Sequence, residues 1–61
     1  MPAKFKLFRD WSGQFRFRLD APDGETLAES DGFPTKDNAK RGILRVKKHA
    51  ASAAVDDQTG K

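Results

Sequence analysis

The sequence contains no cysteine and no tyrosine, and it has only one tryptophan, one methionine and one histidine. Without cysteine, neither a disulfide nor a thiolate metal site can stabilise the fold. No long apolar run is present and the mean hydropathy is −0.80, which excludes a transmembrane helix of about 20 apolar residues. The first residues alternate charged and apolar side chains, so we predict no signal peptide and expect a cytoplasmic protein.

The chain is also short of core-forming residues, because only 36% of its 61 residues are hydrophobic. Below about 70–80 residues, a single core rarely supplies more than about 3–5 kcal/mol, so a second subunit is expected to add stability. The same shortness argues against an enzyme, since a catalytic cleft needs walls and supporting contacts. The sequence has no triad, phosphate loop or metal-ligand cluster. We therefore expect no catalytic residues, no metal site and no cofactor.

The net charge of +3 conceals an uneven layout. Residues 1–18 carry five bases and one acid, residues 19–38 six acids and one base, and residues 39–49 five bases. Alternating blocks favour a chain that folds on itself or pairs with a second copy, whereas a sequence-independent nucleic-acid binder is more often basic throughout. The pI near 9.6 keeps nucleic-acid binding as a second hypothesis.

Alternating side chains predict strands in the first half of the chain. Between Lys4 and Leu19 apolar residues recur at every second position, on either side of a break that ends in Gly13. A three-residue loop at 11–13 places Leu7 opposite Phe17.

The same loop length at 22–24 predicts a third strand at about 25–30, with Leu19 opposite Leu27. Glu29 then falls opposite Phe17 on the apolar face. That position requires the strand to end, a bulge to intervene, or an ion pair to form at the rim of the sheet.

The second half of the chain predicts one helix over about 35–50. Thr35 suits the N-cap, and an apolar stripe follows at Ala39, Ile43, Val46 and Ala50. Gly42 lies beside this stripe and predicts a close approach to the sheet. Residues 53–57 are either a short fourth strand or a disordered tail, and residues 58–61 are expected to fray. The predicted fold is α+β with the order β-β-β-α-β, an antiparallel meander covered on one face by the helix.

The outer face of this sheet, meaning the face turned away from the helix, is predicted to be basic. Its candidate nucleic-acid-binding residues, with the hairpin tip, are Lys4, Lys6, Trp11, Arg16 and Arg18. The register sets Lys6 opposite Arg18, a like-charge pair that calls for an anion. This anion is a phosphate, Glu25, or one of the acids at 56–57 of a second copy; alternatively, the face is simply solvated. Trp11 would stack on a base, cap the edge of the core or contact a second copy.

Several short motifs, taken together, resemble the YegP-like family of small uncharacterised proteins. They are Phe5-Lys6-Leu7-Phe8-Arg9-Asp10, Gly13-Gln14-Phe15-Arg16-Phe17-Arg18-Leu19, Asp23-Gly24, Leu27-Ala28, Ser30-Asp31-Gly32-Phe33, Lys36, Ala39, Gly42-Ile43 and Val46-Lys47. The resemblance covers about residues 4–57 of one domain spanning 1–61. It implies a strand-strand-strand-helix-strand unit that occurs as tandem repeats or as a homodimer exchanging C-terminal strands. It carries no established activity, so no catalytic residue can be transferred.

These observations together predict a small cytoplasmic homodimer that serves as an interaction or stress-associated module. Its expected dimer contacts are Leu44, Ala54, Val55 and Asp56. The alternative is a nucleic-acid-binding module that uses the outer face of the sheet. Neither hypothesis predicts a membrane or a small-molecule substrate as partner.

Overall fold

A computed structural model describes residues 2–60 of the chain. Its elements are β1 (Lys4–Arg9), β2 (Phe15–Asp20), β3 (Thr26–Glu29) and α1 (Lys36–Ala50). The strands form one antiparallel sheet in the order β1-β2-β3, and α1 packs against β2 and β1. The predicted α+β meander with one helix is therefore confirmed. Residues 53–57 form no strand within this chain, so an exchanged fourth strand stays a prediction.

The first hairpin has the predicted loop and register. The backbone N–H of Asp10 donates to the carbonyl oxygen of Gln14 at 2.9 Å, which leaves a three-residue loop between them. Gly13 closes this loop with φ of +85°, a conformation that glycine adopts without a Cβ penalty. Leu7 consequently lies opposite Phe17, as the alternation of side chains predicts.

The second hairpin has the predicted three-residue loop but not the predicted strand register. A β-bulge between Leu19 and Asp20 sets Leu19 opposite Ala28, so the predicted pairing of Leu19 with Leu27 is wrong. The bulge inserts Leu27 as an extra residue and leaves it exposed. It also moves Glu29 opposite Arg18, on the outer face, which removes the unfavourable placement of Glu29 on the apolar face.

The helix begins as the sequence predicts. Thr35 is the N-cap, and its hydroxyl oxygen accepts a hydrogen bond from the backbone N–H of Asn38 at 3.1 Å. Asp37 lies in the first turn and basic residues lie in the last, an arrangement that suits the helix dipole.

The core lies between α1 and the centre of the sheet. Its buried apolar residues are Phe17 and Ala39, and the ring of Phe17 packs edge-on against Phe5 at 6.0 Å. On its other side it stacks on Phe33, also at 6.0 Å. A Cβ added at Gly42 would lie 3.0 Å from both Phe17 and Phe33, so the predicted close approach at Gly42 is confirmed.

Residues 30–34 do more than connect the sheet to the helix. Phe33 and Phe15 form an isolated antiparallel bridge, with reciprocal backbone hydrogen bonds of 2.8 and 2.7 Å. This bridge holds the Phe33 ring over the core. The sequence predicts only a loop here, because a single aromatic residue before Pro34 carries no alternating pattern.

The helix covers only part of the sheet. It packs against β2 and β1 but not against β3, whose four residues are all exposed. The apolar core of the single chain is therefore small and one-sided.

Candidate functional site

The outer face of the sheet is built around a buried carboxylate. Lys6 and Arg18 lie opposite each other, as predicted. Asp20 Oδ2 lies 3.3 Å from Lys6 Nζ and 3.3 Å from Arg18 Nε, while Thr26 Oγ1 donates to Asp20 Oδ1 at 3.1 Å. Asp20 is only 3% exposed. The anion that this like-charge pair requires is thus Asp20 of the same chain, which lies two residues after Arg18 in β2.

The surroundings of Asp20 keep its carboxylate charged. Burial raises its pKa, but hydrogen bonds from Lys6 and Thr26 and the charge of Arg18 outweigh that effect. The net result is a pKa below the ordinary value for aspartate. Asp20 is therefore an anion at neutral pH and balances one of the two bases beside it.

Arg16 is also engaged within the chain. Its Nη2 lies 3.5 Å from Glu29 Oε2, and its Nε donates to the carbonyl oxygen of Ser30 at 2.9 Å. Its guanidinium carbon lies 5.9 Å from the centre of the Phe8 ring, within range for a cation–π contact. Of the four predicted bases of the outer face, only Lys4 forms no ion pair with an acid among residues 2–60.

Trp11 lies at the tip of the first hairpin and is fully exposed. Asp10 fixes the loop, because its Oδ1 accepts hydrogen bonds from the backbone N–H and hydroxyl of Ser12 and from the backbone N–H of Gln14, at 2.7–3.0 Å. The hydrogen bond from the Ser12 side chain lowers the pKa of Asp10. Because the Trp11 side chain is fully exposed, the prediction that it caps the edge of the core is wrong for the single chain. Base stacking and a dimer contact stay predictions.

The predicted dimer contacts are exposed in the single chain. Leu44 is 64% exposed and Val55 is 94% exposed, and Ala54 and Asp56 are exposed beside Val55. The structure adds Leu27, which sequence reasoning places in the core and which is 56% exposed. Its exposure follows from the bulge in the second hairpin, for which the sequence carries no signal.

The surface of the described residues carries neither a metal-ligand cluster nor a pocket. Among residues 2–60, no three side chains able to ligate a metal come together, and no cavity is enclosed. The one helix described in this range is too short and too polar to cross a membrane. What the fold presents instead is a set of surfaces: the outer face, the hairpin tip, the exposed apolar residues and the exposed side of the helix.

Comparison with known proteins identifies relatives across nearly the whole chain. A UPF0339 protein of Treponema denticola is 42% identical over 55 residues, which cover 90% of this chain and 95% of that protein. A solution structure of a protein from Haloferax volcanii is similar, with a TM-score of 0.85 and 37% identity over 92% of this chain and 95% of that one. A UPF0339 protein of Stutzerimonas stutzeri is 37% identical over 88% of this chain, which spans only 49% of its length.

The family described as "Domain of unknown function (DUF1508)" matches residues 10–57. The match begins at the loop after β1 and includes β2, β3, the helix and the segment that follows the helix. The resemblance to the YegP-like family is thereby confirmed, and the chain belongs to the DUF1508 family.

Proposed function

We propose that the chain functions as a homodimeric, non-catalytic interaction module in which each copy completes the sheet and core of the other. The observation that carries this proposal is the imbalance between buried and exposed apolar residues. Phe17 and Ala39 are the buried apolar residues of the described chain, whereas Leu27, Leu44 and Val55 are more than half exposed. Such large exposed apolar side chains on a small domain favour a contact with another subunit.

The segment after the helix provides the means of pairing. Residues 53–57 are exposed along their length and make no strand with their own chain, although they lie within the family match. Both β1 and β3 have a free edge, because β2 is the middle strand. A strand from a second copy would add to one of these edges through backbone hydrogen bonds and would bring Val55 against apolar surface.

The lengths of the relatives agree with a paired unit. This chain spans about half of the Stutzerimonas stutzeri relative, so that protein has room for a second unit of the same size. A longer chain with two such units could join the same surfaces within one molecule that two copies of this chain would join in a dimer.

Truncation tests the proposal directly. A chain ending at Ser52 lacks the exchanged segment, and we expect it to be monomeric by sedimentation and to melt at a lower temperature than the full chain. The matched control is a chain ending at Asp57, which keeps residues 53–57 and loses only the predicted frayed end. It should remain dimeric. A Ser52-terminated chain that stays dimeric and equally stable would contradict strand exchange.

Nucleic-acid binding by the outer face is the second candidate, and Lys4 and Trp11 are the residues that favour it because both are exposed. Against it, Asp20 and Glu29 occupy positions beside Lys6, Arg18 and Arg16 that a phosphate would otherwise take. Binding by this face predicts that changing both Arg16 and Arg18 to alanine abolishes a salt-sensitive interaction with DNA or RNA.

A further inference from the structure

The exposed side of α1 differs from the outer face of the sheet in how its charges are balanced. The helix carries six bases, Lys36, Lys40, Arg41, Arg45, Lys47 and Lys48, and one acid, Asp37. All six are exposed, and none lies within ion-pairing distance of an acid among residues 2–60. On the sheet, by contrast, Lys6 and Arg18 share Asp20 and Arg16 pairs with Glu29, which leaves two bases, Lys4 and Arg9, without an acidic partner among residues 2–60. Unbalanced positive charge in this protein is therefore concentrated on the helix.

The bases of the helix fall on two flanks. At about 100° per residue, Arg41, Arg45 and Lys48 follow one another at spacings of four and three and form a continuous row along one flank, here called the arginine flank. The other flank carries only lysines, Lys36, Lys40 and Lys47, and Leu44 lies between the two flanks. The arginine flank extends over about 10 Å, since seven residues rise about 1.5 Å each.

We propose that the arginine flank of α1 binds the phosphate backbone of double-stranded nucleic acid. A duplex carries one charge per about 1.7 Å of its axis, or about six over the roughly 10 Å of the flank, so each of the three side chains can lie beside a phosphate. The guanidinium groups of Arg41 and Arg45 suit phosphate because each can donate two parallel hydrogen bonds to it. The contact reads charge and shape rather than base sequence, because contacts to phosphate oxygens carry no sequence information.

Two other polyanionic partners fit this surface less well. Membrane association of an amphipathic helix requires its apolar face to enter the lipid. Here the apolar stripe faces the sheet, with Ala39 fully buried, and Leu44 is the one large apolar residue between the basic flanks. Single-stranded nucleic acid is bound mainly by stacking on aromatic side chains, and α1 contains no phenylalanine, tyrosine or tryptophan.

The test compares three double variants that each remove two positive charges from the full chain. Arg41→Gln with Arg45→Gln removes the centre of the arginine flank, Lys36→Gln with Lys40→Gln changes the opposite flank of the same helix, and Arg16→Gln with Arg18→Gln changes the sheet. Binding to fluorescein-labelled 16-base-pair DNA and RNA duplexes is measured by anisotropy over a range of salt concentrations. Sedimentation and thermal melting of each variant show whether it is folded and in the same assembly as the unchanged chain.

We expect the unchanged chain to bind both duplexes with a log-log salt slope of about −3, the value for three phosphate contacts. The arginine-flank variant should lose at least about tenfold in affinity at 50 mM salt, and its slope should become shallower by about two. The Lys36 and Lys40 variant should lose much less. Both helix pairs change exposed residues only, so their folding is not at risk.

Four results would overturn the proposal. Equal losses in both helix pairs would show a response to net charge alone, and a larger loss in the sheet pair would move the site to the outer face. Tighter binding to a single strand of the same sequence, or to phosphatidylglycerol vesicles, would replace the duplex with that partner. Loss of the dimer on truncation at Ser52 is measured separately, so the two proposals can fail independently.

Discussion

At the scale of single residues, two side chains act on the backbone and on charge rather than on the core. Thr35 accepts a hydrogen bond from the backbone N–H of Asn38 at the start of the helix, and the single negative charge of Asp20 offsets one of the two bases that it contacts, Lys6 and Arg18. Thr35 could be predicted because an N-cap has a short-range signature. The like-charge pair of Lys6 and Arg18 predicts that an anion is needed, but it does not say which residue supplies it. The available signal for Asp20 is its position two residues after Arg18, which places both side chains on the same face of β2.

The N-cap gives the first residue-scale prediction. Thr35→Ala removes the hydroxyl that accepts from Asn38, and N-cap replacements of this kind cost about 1 kcal/mol of stability. Thr35→Ser keeps the acceptor and should cost a few tenths or less. Urea unfolding followed by circular dichroism measures both, and an alanine variant as stable as the serine variant would contradict the capping role.

The second residue-scale prediction concerns the carboxylate of Asp20. Its pKa is lower in the folded chain than in the unfolded one, so the stability it contributes is present above about pH 4 and is lost as the pH falls through the folded pKa. Asp20→Asn should therefore lower the melting temperature at pH 7, and the difference from the unchanged chain should shrink towards pH 3. Asp31→Asn is the matched control, because Asp31 is exposed and makes no ion pair among residues 2–60. A constant difference across this pH range for Asp20→Asn would contradict the ion-pair cluster.

At the scale of elements, the sequence predicts each hairpin loop and the first strand pairing, because alternation and loop length together leave one register. The second pairing is wrong by one residue, because a bulge inside a strand has no requirement for a particular side chain. The bulge affects more than the position at which it occurs. The bulge moves Leu27 out of the core and Glu29 towards Arg16, and so it decides the chemistry of both faces of β3.

The packing of α1 on the sheet yields a prediction at this scale. Gly42→Ala should gain about 1 kcal/mol in helix propensity, but its Cβ would press against two stacked rings at 3.0 Å, and overpacking costs about 1–3 kcal/mol. We expect a net loss of about 1 kcal/mol in the unfolding free energy. Asn38→Ala, at an exposed helix position, gains propensity without the contact and should be neutral or stabilising. If both alanine variants stabilise the chain, the helix is not held against Phe17 and Phe33 as described.

At the scale of the whole molecule, the chain has few hydrophobic residues, and in the structure the helix packs on β1 and β2 and leaves β3 uncovered. The sequence could not predict where that shortage falls, because coverage depends on how the helix lies across the strands. In the proposed dimer the missing cover comes from a second copy, so stability is tied to concentration. We expect the melting temperature of the full chain to rise over a hundredfold increase in protein concentration, while that of the Ser52-terminated chain stays constant. A full chain whose melting temperature is independent of concentration would count against the dimer.

The rigid hairpin tip makes Trp11 a built-in optical probe, because it is the one tryptophan of the chain and faces solvent completely. Its emission in the isolated folded chain should resemble that of tryptophan in water and should change little on unfolding. Intrinsic fluorescence would thus report little about unfolding of the core, but it would respond to any partner that covers the hairpin tip. A blue shift on adding duplex, or on concentrating the protein, would report contact at this hairpin without any label.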